Sequence, residues 1–324
     1  MAVDYGKFLR EELRADSDWA ALPSWDYFIS AFNRSDRLRL VYDRVRASEK
    51  LWLVHPEYVM PEADLPPEAV MSPDAADESS FIREVVAELR GKRGYEPDSH
   101  SLCIDITGLM RPHILYLLWY LEKLGVTRVH MLYAEPDRYA DKEKTSFSAG
   151  SISEVRPVQG YEGSPNTDTS NDLLILGMGY DDRMTAEVAE DKGKAAKFQL
   201  FGLPPLRADM YQESVIRSRA AADSLGDPDF SPANRGFAPA NDPFATASTL
   251  VDVFKAKCHP DAVTNLYLSP LGTKAQVLGF GLFYLGEKLT NASILYPFST
   301  QYTAETSLGL SRAWIYRVEL PVSA

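Results

Sequence analysis

A chain of 324 residues with 45% hydrophobic and 11% aromatic side chains is long for one core and fits two domains of about 150 residues each. Its formal net charge of −12 excludes a broad duplex-binding surface, because a phosphate backbone would be repelled. Cys103 and Cys258 are too few for a disulfide framework, and no apolar run reaches the roughly 18 residues of a membrane span, which together describe a cytoplasmic protein with reduced thiols.

In chain order, Met1 to Arg14 reads as a charged amphipathic helix without the apolar core of a secretion signal. Tyr27 to Phe32 is a doubly buried strand, followed by a helix capped at Ser35 or Asp36 and running to about Ala47. Leu51 to Val54 is a second strand. A helix near Ser80 to Arg90, a strand from Leu102 to Ile106, a helix from Arg111 to Leu124 and a strand from Arg128 to Tyr133 complete the first set. The second set runs Leu173 to Met178, a helix from Asp182, Lys197 to Phe201, a helix around Thr246 to Lys257, Leu266 to Leu268, a helix from Lys274 to Leu285 and Ser293 to Tyr296. Helices alternating with short apolar strands predict mainly parallel sheets in an α/β, Rossmann-like sandwich.

The two sets are similar in sequence as well as in order. Asp26 to Arg37 recurs as Asp172 to Arg183, Leu102 to Leu124 recurs from Leu266, and Tyr133 to Tyr139 recurs as Tyr296 to Tyr302, each displaced by about half the chain. Matches in one order, with offsets of 146, 164 and 163 residues near half the chain length, predict an internal duplication. The expected domains are 1–158 and 172–324, joined by a Gly-, Ser- and Asn-rich linker at 159–171. Each ends in an extra strand, Ile152 to Val158 and Ala313 to Leu320. The second carries an inserted helix and loop at about 208–243.

Open parallel sheets bind ligands beyond the carboxyl ends of their strands, where helix N-termini present bare N–H groups. All the repeated motifs fall there. Gly272, Thr273 and Lys274 open a helix and suit a phosphate; the alternative is a turn glycine, a capping Thr and a solvated Lys. Thr107, Gly108 and Arg111 are the matching set, with Asp105 placed to accept from a ribose hydroxyl or to cap the turn, and His113 placed for acid–base work or for structure. Arg37 and Arg183 are cations at helix starts, where the dipole disfavours them; either an anion contact or a salt bridge to Asp26 or Asp172 explains the pair. Tyr139 and Tyr302, with Tyr133 and Tyr296, can stack on bases or pack the sheet edge. His55, His100, His113, His130 and His259 show no ligand spacing, so neither a metal nor a cofactor is expected.

The strand–Thr107-Gly108–helix and strand–Gly272-Thr273-Lys274–helix units, with the Asp/Ser turn after the first strand, resemble the CRISPR-associated Rossmann-fold sensor domains. That resemblance implies a nucleotide ligand, a cleft between paired domains and a role in prokaryotic defence. This chain departs from the pattern in fusing two copies without an obvious nuclease domain, which leaves the output to a protein partner. Three readings follow. One is a nucleotide-binding sensor or accessory subunit, the second an enzyme cleaving or transferring a phosphodiester or glycosidic bond through His113 or Asp105, and the third a structural subunit of a larger complex.

Overall fold

The computed structural model describes Tyr5 and residues 9–14, 16–17, 19–75, 77–97, 99–139, 152–227, 229–257, 263–299 and 307–321. The chain is α/β throughout. It divides into two compact units, one formed by Phe8–Thr145 with Gln301–Ala324 and the other by Met1–Lys7 with Ser146–Thr300.

The first unit is built on β2 (Trp25–Ala31), β3 (Ala47–Leu53), β4 (Val70–Met71), β5 (Leu102–Asp105) and β6 (Arg128–Glu135), with α1 (Asp36–Arg44), α2 (Glu78–Gly91) and α3 (Arg111–Lys123) between them. These five strands are parallel. β15 (Arg312–Glu319) pairs antiparallel with β6, and β1 (Arg10–Arg14) with β15, giving the order β1-β15-β6-β5-β2-β3-β4. The apolar run in β2 is explained by this position, since a central parallel strand is covered on both faces. On one face α1 inserts Leu38, Val41 and Tyr42 against Phe28, Trp52, Cys103, Leu132 and Ala134. Tyr42 stacks flat on Trp52 with 4.0 Å between ring centroids.

The second unit repeats the plan with β9 (Leu173–Gly177), β10 (Ala196–Gly202), β11 (Arg235–Ala238), β12 (Leu266–Pro270) and β13 (Ala292–Ser299) in parallel. β8 (Ile152–Pro157) closes it antiparallel on β13, in the order β11-β10-β9-β12-β13-β8. Its helices are α4 (Asp182–Asp191), α5 (Met210–Ala220), α6 (Ala222–Leu225), α7 (Pro243–Lys257) and α8 (Lys274–Glu287). Each sheet grows outward from its first strand through two more, then restarts on that strand's other side. The chain therefore reverses between β2 and β5, and again between β9 and β12.

Several expectations change. The closing strands are present but belong to the opposite sheets: β8, from the end of the first half, completes the second sheet, and β15, from the end of the chain, completes the first. The units are accordingly not 1–158 and 172–324. The tract 159–171 is packed rather than a free tether. Tyr161 is fully buried, Ile294 N–H donates to Tyr161 O at 3.0 Å, and the buried Asn265 amide donates to Asn166 O and Asp168 O. Arg10–Arg14, expected in a helix, is strand β1, because the edge of β15 offers a ladder that outweighs local propensity. The 208–243 insertion holds two helices and an unforeseen strand, β11. A short β7 (Arg138–Tyr139) pairs with β14 (Ser307–Leu308), also in the first unit.

Candidate functional site

At the reversal between β2 and β5, cross-strand neighbours Ser30 and Asp105 join, Ser30 Oγ donating to Asp105 Oδ2 at 2.9 Å. Asp105 Oδ1 accepts the Thr107 N–H at 2.9 Å, and Thr107 Oγ1 accepts the Ala134 N–H at 2.8 Å. Gly108 lies so close to the end of β2 that a Cβ there would stand 1.7 Å from the Ala31 carbonyl oxygen. Asp105, Thr107 and Gly108 thus tie three strand ends together. Asp105 and Thr107 are both buried, and hydrogen bonding to the chain itself explains their presence.

Beside this junction, the first turn of α1 is different. Ser35 is the N-cap, yet its side chain makes no cap hydrogen bond; its N–H donates to Asn33 Oδ1 at 2.9 Å. Ser35 Oγ is buried without a hydrogen-bond partner, and so are Nε and Nη1 of Arg37. Arg37 is only 9% exposed. Neither of the salt bridges expected for it forms, because Asp26 instead accepts from Ser101 at the opposite end of β2. That arrangement holds the Asp26 carboxyl below its usual range, the Ser101 N–H and hydroxyl being the cause. A buried guanidinium with two unpartnered nitrogens is costly, and the helix start beside it has no side-chain cap, the Asp36 carboxylate in the same turn offsetting part of the positive charge. The chemistry such a place suits is binding an anion.

Across the sheet, on the side of α2 and α3, lies a buried polar cluster. His113, at the third position of α3, meets His55 edge to face with 4.5 Å between centroids and Phe81 at 4.9 Å. His55, just past β3, accepts the Met110 N–H through Nε2 at 3.4 Å, and its Nδ1 is 4.0 Å from Glu57 Oε2. His113 Nδ1 and Glu57 Oε2 are buried without hydrogen-bond partners. Burial pushes the His113 imidazole down to about 4, outweighing the upward pull of Glu78 and Asp77. Burial also raises the Glu57 carboxyl, and Glu78 adds to that rise. Both groups are driven toward their neutral forms. His55, Glu57 and Glu78 were not singled out from the sequence; a histidine directly after an apolar strand was the available signal.

In the second unit, Thr273 caps α8 in a capping box with Gln276: Gln276 N–H donates to Thr273 Oγ1 at 3.2 Å, and Thr273 N–H donates to Gln276 Oε1 at 3.3 Å. The Thr273 hydroxyl also donates to Ala240 O. The capping reading of Thr273 is therefore realised in full. A Cβ at Gly272 would come within 2.4 Å of Gln276 Oε1 and would displace the side chain that completes the cap. Lys274 and Arg111 hold the first positions of their helices and are partly exposed. Arg183 is exposed, unlike its repeat partner Arg37. Asp172, the other candidate for pairing, accepts from Thr264 and Asn265 at 2.6 and 2.8 Å. Buried and without hydrogen-bond partners here are Ser269 Oγ, at the position matching Asp105, and Gln276 Nε2. At the opposite, amino edge of this sheet is a depression of about 480 Å³ lined by Asp172, Glu190, Lys192, Lys194 and Tyr267.

Tyr133 and Tyr296 are core residues, buried in β6 and β13, as the packing alternative has it. The Tyr139 side chain and all of Tyr302 lie outside the described residues, as does Cys258. Among the described residues, no group of His, Cys, Asp or Glu is arranged to hold a metal ion, and no helix is long and apolar enough to cross a membrane. No family model and no curated protein matches the chain.

Proposed function

We propose that this chain binds a nucleotide or another phosphorylated ligand at the carboxyl edge of its seven-stranded sheet, as a sensor or accessory subunit of a prokaryotic defence-type system. Arg37 carries the binding reading: a guanidinium 9% exposed, with Nε and Nη1 unpartnered, at the open first turn of a helix. A phosphate there would supply the missing acceptors for Arg37, Ser35 and the first amides of α1 in one step. The defence role rests on the resemblance of the glycine loops to CRISPR-associated Rossmann-fold sensor domains.

Isothermal titration with pyrophosphate and ADP tests the binding site. Arg37→Gln is expected to weaken binding at least about ten-fold, since charge-assisted hydrogen bonds are lost. Thermal unfolding checks that the variant stays folded, and unchanged affinity would overturn the assignment. A second reading, turnover of the bound nucleotide, is favoured by the His113–Glu57 cluster. Under it, His113→Gln stops product formation from ADP while leaving ADP affinity in place; absence of any product from the wild-type protein removes it.

A further inference from the structure

We propose that the α1 site carries an internal lock, in which Asp64 and Glu68 of the 56–69 loop occupy Arg34 and Arg39 until a ligand with more than one phosphoryl group displaces them. This deepens the phosphate reading above and rests on it.

Three arginines, Arg34, Arg37 and Arg39, fall within six residues around the first turn of α1. Arg37 is buried and lacks a partner for two of its nitrogens. The flanking two are paired, both to the same loop, and Arg39 Nη1 also lies 3.8 Å from Asp43 Oδ1 on its own helix. Arg34 Nη2 meets Asp64 Oδ2, and Arg39 Nη1 lies 2.6 Å from Glu68 Oε1. The hydrogen bond from Arg39 is the leading cause that holds the Glu68 carboxyl below its ordinary range. Both pairs are solvent-exposed, with side chains between 37% and 51% accessible, so each is weak and screened by salt. A phosphoryl group offers a guanidinium a better, bidentate partner than an exposed carboxylate.

The loop itself is suited to release. After its first turn, Pro56–Tyr58, comes Val59 in the left-handed region, at φ 46 and ψ 54, and Val59 is 82% exposed. A β-branched side chain in that conformation is strained, and no burial of its side chain accounts for it. Beyond it, Pro61, Pro66 and Pro67 limit the conformations the segment can take, so it moves as a stiff flap rather than as loose chain. The buried Pro66 and the Trp52 N–H bond to Ala69 O anchor the base of that flap, and the two ion pairs are what tie its acidic side chains to the arginines. A single phosphate satisfies Arg37 and leaves the lock closed. A ligand with two or more phosphoryl groups reaches the flanking arginines and frees the carboxylates.

The probes are orthophosphate, pyrophosphate and ADP, titrated calorimetrically at low salt into the full chain. The double variant Asp64→Asn, Glu68→Gln should bind pyrophosphate and ADP about ten-fold more tightly and orthophosphate unchanged. Arg34→Ala with Arg39→Ala should reduce pyrophosphate affinity to that of orthophosphate. A charge-matched control on α2 and α4, Glu84→Gln with Glu187→Gln, removes the same charge without touching either ion pair and should leave all three affinities within about two-fold. Equal or weaker pyrophosphate binding by the Asp64/Glu68 variant overturns the lock, as does an equal gain for orthophosphate or in the control. If the wild-type chain binds none of the probes, or Arg37→Gln binds them normally, it is the underlying phosphate reading that fails.

Discussion

His113 shows how far a residue's surroundings alter its chemistry. In the folded chain its imidazole titrates at about 4, whereas an unfolded histidine titrates near 6.5. Between those values the unfolded chain holds the extra proton, so stability is complete above pH 6.5 and falls as the pH drops toward 4. The loss amounts to roughly 3 kcal/mol over that window. Glu57 works in the opposite sense, because its raised carboxyl takes up a proton in the folded state first. The two are separated by comparison: urea unfolding of His113→Gln between pH 4 and 7 should show a shallower acid loss than the wild-type protein, and an identical slope would contradict the burial assignment. Residue types were legible from the sequence, and so was the suspicion attached to Arg37. Its twin Arg183 was given the same role, yet one is buried and the other exposed, because exposure depends on what packs over a helix start and not on the helix itself.

At the level of elements, helix starts divide by how their N–H groups are satisfied. α2 is capped by Asp77, α4 by Asp181 and α8 by the Thr273–Gln276 box, whereas Ser35 leaves α1 without a side-chain cap, as Met110 leaves α3 and Asp209 leaves α5. Thr273→Ala should therefore cost about 1 kcal/mol in chemical unfolding and leave phosphate and ADP affinity unchanged. A selective loss of affinity with intact stability would restore Thr273 as a ligand residue. The long periodic helices and the buried central strands were readable because their apolar spacing is dense and repeated. β11, β4 and β1 were not. They are short edge strands whose sequences, such as Arg235-Gly-Phe-Ala238, carry little alternation, and the neighbouring strand's open ladder decides that they pair.

For the whole molecule, exchange of the closing strands makes the two halves of the sequence interdependent. The fragment 1–158 lacks β15, which lies between β1 and β6, and the fragment 172–324 lacks β8. Each half expressed alone should be aggregated or disordered by circular dichroism and gel filtration. A chain joining 8–145 to 301–324 through a Gly/Ser linker should instead fold as a monomer with cooperative unfolding, since it contains every strand of the seven-stranded sheet. Independent folding of fragment 1–158 would show that β15 is dispensable.

The amino-acid sequence alone determined the α/β class, the twofold repetition and the edge where helix starts and glycine turns gather. Those features follow from local spacing and from turn stereochemistry, which act over a few residues. Tertiary structure decided which sheet each closing strand joins, that Gly108 and Thr107 lock strand ends together, and that Arg37 alone of its repeat pair is buried with two nitrogens lacking partners. Strand exchange joins segments more than a hundred residues apart and burial depends on tertiary packing, and no short-range pattern encodes which of several compatible edges a strand will meet.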